Sequence, residues 1–139
     1  MIDVALVRNK VVKIQRDLAE LSEFREYSFD EVAKDYRTHK VVERIIEVVI
    51  NEAIDINQHI IAQSGNSKLP FNFRESFLLL VELQVYSKEF GERICRSVGL
   101  RNILVHEYRE LDERIFFDSI KECYEEYVAY CGYILKYIE

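Results

Sequence analysis

The chain has 139 residues, 49% hydrophobic and 32% charged, with 19 Lys plus Arg against 25 Asp plus Glu for a formal charge of −6. That is one domain, 1–139, with enough apolar material for a core, and its acidic balance argues against a broad duplex-DNA coat, whose affinity comes from neutralising phosphates. Cys95, Cys123 and Cys131 are odd in number and widely spaced, no CxxC occurs and His39, His59 and His106 are the only histidines, so a disulfide framework or structural zinc is disfavoured and a reducing cytoplasm is expected.

One Pro and four Gly make breakers scarce, which favours long helices. Residues 3 to about 23 read as the first. Val4, Val7, Val11, Ile14, Leu18 and Leu21 recur at three- and four-residue steps. Asp3 is its N-cap and also breaks any resemblance to a secretory leader. Ser28-Phe29-Asp30-Glu31 has the form of a capping box and predicts a short helix. A polar cluster, Asp35 to Lys40, should interrupt the pattern.

A long apolar helix is expected from about Thr38 to Gln63, with Val41, Val42, Ile45, Val48, Val49, Ala53, Ile56 and Ile60 on its main stripe. No apolar run reaches the length of a membrane span. Gly65 is the expected C′ residue. Glu52, Asp55 and His59 lie on this helix, and Asp55 and His59 share a face. Hydrogen bonding on the helix face is the simpler reading of that pair, because no third ligand stands at useful spacing.

Asn72-Phe73-Arg74-Glu75 starts another helix. Ser87-Lys88-Glu89-Phe90 opens the next, which should run through Ile94, Val98 and Gly99. A glycine inside a helix costs roughly 1 kcal/mol against alanine, so Gly99 suggests either a close backbone approach or a kink. After a connector at Arg109-Glu110-Leu111, Asp112 caps a last helix from about Glu113 to Ile138. Its Tyr-rich stripe, including Tyr127 and Tyr130, reads as core edge or subunit interface in preference to a base-stacking platform. The expected architecture is all-α, an antiparallel bundle of four or five helices, with enough apolar faces to make a homodimer plausible.

The chemistry concentrates in Arg101-Asn102-Ile103-Leu104-Val105-His106-Glu107-Tyr108. Asn102 and His106 are four apart, so the amide can orient the imidazole. Arg101 and His106 lie roughly 140° apart around a helix, so they do not converge by periodicity alone; a helix end would help, and a two-fold axis close to His106 would help more, so the spacing favours a site made by a dimer. His moves protons near neutral pH. Arg clamps phosphate and stabilises charge in a phosphoryl transition state. RNA supplies its own 2′-OH nucleophile, so Arg101 and His106 form a minimal kit for metal-independent cleavage to a 2′,3′-cyclic phosphate and a 5′-OH. No carboxylate cluster accompanies the stretch, so no metal and no cofactor are expected. Spacing alone is also compatible with polar residues that only partner a helix dipole.

This stretch resembles the R-N-x-L-V-H-x-Y form of the R-x4-H motif in HEPN-domain proteins, and more narrowly the HepT toxins of HepT–MntA toxin–antitoxin systems. Glu52-Ala53-Ile54-Asp55-Ile56-Asn57-Gln58-His59 resembles the central helix of that family. Val98-Gly99-Leu100 resembles its lead into the Arg, with Leu100 replacing the common aromatic. The resemblance implies an all-α homodimer of HEPN type with a ribonuclease cleft at the two-fold axis. Arg101 and His106 would be catalytic and Asn102 supporting, acting on tRNA or mRNA. It also implies a minimal nucleotidyltransferase antitoxin, MntA-like, that transfers AMP from ATP to Tyr108. The competing reading is a catalytically silent helical partner that docks and regulates such a nucleotidyltransferase.

Overall fold

A computed structural model describes residues 1–65, 68–106 and 111–139. The described residues form seven α-helices: α1 (Val4–Glu23), α2 (Phe29–Ala33), α3 (Tyr36–Gln63), α4 (Phe73–Glu82), α5 (Lys88–Ile94), α6 (Ser97–His106) and α7 (Glu113–Tyr137). One 3₁₀ turn, Phe24–Glu26, follows α1.

Local signals set most of the helix starts. The Asp3 carboxylate accepts the Leu6 amide, and Ser28 and Glu31 close a reciprocal capping box. Asn72, Ser87 and Asp112 cap α4, α5 and α7 in the same way. Such caps satisfy backbone donors that the first helical turn leaves orphaned.

Two expectations change. The polar cluster at 35–40 does not interrupt the chain's helical path. Asp35 caps α3 by accepting from the Thr38 amide, and the helix already runs from Tyr36. Its first turn is polar because it faces solvent, not because the helix is absent. The helix expected to run from Ser87 through the marked stretch is two helices, parted at Cys95–Arg96. There the Ser97 hydroxyl takes the Ile94 carbonyl at 2.7 Å and also pairs with the Tyr127 hydroxyl at 2.7 Å. Val98 and Gly99 amides reach back only three residues. A serine that competes for backbone carbonyls in this way bends or ends a helix.

Gly99 sits on the exposed side of α6, and a Cβ there would meet nothing within 4 Å. The close approach occurs at Gly91 instead, where a Cβ would run into Val81 and come within 3.3 Å of Tyr86.

α3 lies at the centre and packs on α1, α4, α6 and α7. It runs antiparallel to α1. The Asp3 amide donates to His59 Nε2 at 3.0 Å, while Lys10 and Lys13 pair with Glu52 at 3.2 and 3.1 Å. Lys10 also reaches Asp55 at 3.5 Å. His59 and Asp55 therefore fasten α1 to α3, each bonding to α1 and not to the other. α3 and α7 run parallel: His39 near the start of α3 meets Glu113 at 2.7 Å, and Asn57 near its end meets Tyr130.

The core is apolar and aromatic. Phe77, Phe116, Tyr127 and Tyr130 are fully buried. Burial pushes the phenols of Tyr127 and Tyr130 well above their usual range, and their rings tilt against each other at 5.7 Å. The Tyr stripe is thus core. Cys95, Cys123 and Cys131 are buried free thiols, and burial pushes Cys131 up to about 12.

One polar chain threads this core. The Tyr130 hydroxyl donates to Asn57 Oδ1 at 2.6 Å, Asn57 Nδ2 donates to Ser76 Oγ at 3.2 Å, and Ser76 Oγ donates to the Phe73 carbonyl at 2.7 Å. Buried polar atoms left unpaired are costly, so such a chain specifies one packing of α3, α4 and α7. Among the described residues, no helix is long and apolar enough to cross a membrane.

Candidate functional site

The polar chain ends at Phe73, and the site begins there. Phe73 is the first residue of α4 and only partly buried. The Arg101 guanidinium lies over its ring, 4.9 Å from the centroid. That contact is a cation–π pair, worth roughly 0.5–2 kcal/mol depending on desolvation.

Two amides fix the same guanidinium. Arg101 Nε donates to Asn51 Oδ1 of α3 at 2.7 Å, and Arg101 Nη1 donates to Asn102 Oδ1 at 3.0 Å. Nη2 has no hydrogen-bond partner among the described residues. Helical spacing allowed the Asn102 amide to orient His106; in the structure its oxygen accepts from Arg101.

Arg101 and His106 line one open cavity of about 540 Å³, together with Asn72, Phe73, Arg74, Val98 and Asn102. They reach it from different sides of α6. His106 is the last residue of that helix and is exposed, and Arg101 has a long arm that crosses to α3 and α4. Both residues thus line one cavity of a single chain, where the spacing had favoured a cleft made by a dimer. Tyr108, expected as the point of modification, lies outside the described residues.

The charge of this cavity departs from that of the chain. Its described lining holds two Arg, a His and two Asn, and no carboxylate, although the whole chain carries −6. Arg74 reaches the Cys95 sulfur at 3.8 Å and is otherwise exposed. Such a set binds an anion through guanidinium N–H groups and can move a proton through an imidazole. Among the described residues, no three His, Cys, Asp or Glu side chains gather to hold a metal.

A second, larger groove of about 850 Å³ runs between the α5–α6 segment and α7. It has mixed charge. Burial and the neighbouring Glu122 push Glu126 up to about 7, against the pull of Arg93 and Arg96.

Asn51, Asn72, Phe73 and Arg74 were not legible as site residues. Asn72 to Arg74 carried a helix-start signal only. Asn51 lies fifty residues from Arg101 on a helix whose pattern is dominated by apolar stripes, and nothing local marks it.

The family model described as ribonuclease HepT-like matches residues 14–134. The tRNA nuclease HepT of Aphanizomenon flos-aquae is 31% identical over 99% of this chain and 92% of its own length. The mRNA nuclease HepT of Shewanella oneidensis is 25% identical over 94% of this chain and 92% of its own. In structure, the chain is similar to a tri-AMPylated HEPN toxin of Shewanella oneidensis solved in complex with an MNT antitoxin, with a TM-score of 0.84 at 25% identity, covering 96% of this chain and 98% of that one. With the family match running from mid-α1 almost to the end of α7, the chain belongs to the HepT-like ribonuclease family.

Proposed function

We propose that the chain is the ribonuclease toxin of a toxin–antitoxin pair, cutting RNA with Arg101 and His106 and silenced by AMPylation of Tyr108. The observation that carries this reading is the cavity itself: a clamped guanidinium and a helix-end imidazole share one space whose described lining holds no carboxylate. The names of the relatives support RNA as substrate, of the tRNA or mRNA class. The neighbour bound to an MNT antitoxin supports a nucleotidyltransferase partner.

In this mechanism Arg101 binds the scissile phosphate through its unshared N–H groups. His106 takes the proton of the adjacent 2′-OH, whose oxygen attacks phosphorus. Negative charge builds on the phosphoryl oxygens, where the guanidinium stabilises it. The 5′-oxygen leaves and takes up a proton from an imidazolium, that of the same His106 after it has accepted the 2′-OH proton or that of a second copy's His106, giving a 2′,3′-cyclic phosphate and a 5′-OH. The chain's own donors suffice for each step, so no metal is required. A homodimer that places two copies of the cavity at one two-fold axis would let one His106 accept the proton and the other supply one. Exposed apolar side chains that stand beside the lining residues in sequence, Phe71 next to Asn72 and Val105 next to His106, support such an assembly.

Tyr108 stands two residues beyond His106. An AMP group there adds bulk and negative charge that compete with RNA phosphate. The test uses purified protein, tRNA and mRNA in EDTA. The protein cuts one of these RNAs; after treatment with a nucleotidyltransferase antitoxin and ATP it gains the mass of one or more AMP units on Tyr108 and cutting stops. No cleavage by the unmodified protein would refute the nuclease reading, and full cleavage by protein modified at Tyr108 would refute the control.

A further inference from the structure

We infer that Asn51 is a positioning residue for Arg101, forming with Phe73 and Asn102 a three-sided clamp that aims Nη2 into the cavity. The inference rests on the functional reading above for its consequence, but the clamp itself is a matter of geometry. A free arginine side chain has many rotamers, and holding it in one is costly in entropy. Here three elements share that task. Asn51, on central α3, accepts from Nε at 2.7 Å. Asn102, on α6, accepts from Nη1 at 3.0 Å. Phe73, at the first turn of α4, supports the guanidinium plane at 4.9 Å.

The Nε bond fixes the rotation of the guanidinium about its own axis. With Nε and Nη1 engaged, Nη2 keeps both hydrogens for a ligand. Asn51 is suited to this because an amide oxygen accepts strongly without adding negative charge beside a phosphate site; an Asp would hold the arginine equally well but repel the substrate. The clamp is also braced from the core. Phe73 is held through its carbonyl by Ser76, and Ser76 through Asn57 by Tyr130. Asn51 stands two residues before Ala53, whose carbonyl lies 3.1 Å from that same Tyr130 hydroxyl. Acceptor and platform, both partly buried, are thus tied to the same hydrogen-bonded chain in the core.

The test pairs kinetics with a direct view of the arginine. Asn51→Ala should lower kcat for RNA roughly 100-fold, the order expected when a reacting group is misplaced by about 1 Å, with KM little changed. In ¹⁵N-labelled protein, the Arg101 Nε–H should exchange slowly with solvent in the wild type and fast in Asn51→Ala. Asn51→Asp should restore slow exchange, because its carboxylate still accepts from Nε. A purely structural role would move neither the kcat–KM split nor this one resonance selectively. Unchanged Nε–H exchange and unchanged cleavage in Asn51→Ala would overturn the inference while leaving the nuclease reading intact. A wild type that cuts no RNA, with Nε–H protection lost in Asn51→Ala, would sink the nuclease reading and leave the clamp standing.

Discussion

Arg101→Lys should lower kcat/KM for RNA cleavage by about 10²–10³-fold, the loss typical of removing one charge-stabilising donor from a transition state. Lysine keeps the positive charge, so a site that needed only charge would tolerate it. This site needs more. Asn51 takes Nε–H and Asn102 takes Nη1–H, which leaves the Nη2 hydrogens for a ligand. One ammonium on a flexible stem cannot reproduce the planar fork that engages both amide oxygens and keeps a further donor for phosphate. Initial rates on a labelled RNA at saturating and limiting concentration measure the effect. Activity within a few-fold of wild type would mean that the amide clamp has no part in catalysis.

Phe77→Ala destabilises the fold by about 3–5 kcal/mol, the usual cost of truncating a buried aromatic. Phe77 is fully buried and stands edge-on to Tyr127 and Tyr130, at 6.5 and 6.0 Å. It joins α4 to α7 across the core, and its carbonyl accepts from Tyr86 at 2.7 Å. Alanine keeps that backbone bond, so the loss is one of apolar contact and of the cavity left behind. Domains of this kind have about 5–15 kcal/mol in total, so the denaturation midpoint should fall sharply. A change below about 1 kcal/mol would mean that the aromatic cluster repacks freely, against the close packing expected of such interiors.

The all-α fold was legible because its signals are local. Apolar residues at three- and four-residue steps and caps at Asp3, Ser28, Asn72, Ser87 and Asp112 each act within one or two helical turns. The errors were also local in kind. A polar first turn hid the start of α3, and Ser97 ended one helix and opened another where periodicity alone saw continuity. The site was half legible. Arg101 and His106 stand in one short stretch, and their angular mismatch on a helix already pointed to a helix end or, more strongly, a dimer cleft. What holds Arg101 was not legible, because Asn51 and Phe73 meet it through tertiary packing of α3, α4 and α6. No spacing rule connects residues fifty and twenty-eight positions apart. Asn102 was singled out as able to orient the imidazole, whereas its amide oxygen accepts from the Arg101 guanidinium.

The most direct test sets wild type against His106→Ala on the same RNA, in EDTA, under single-turnover conditions. The account predicts cleavage by the wild type with 2′,3′-cyclic phosphate ends, and a loss of about 10²–10⁴-fold in His106→Ala, the range for removing a general acid–base group. Cleavage by His106→Ala at the wild-type rate would contradict it.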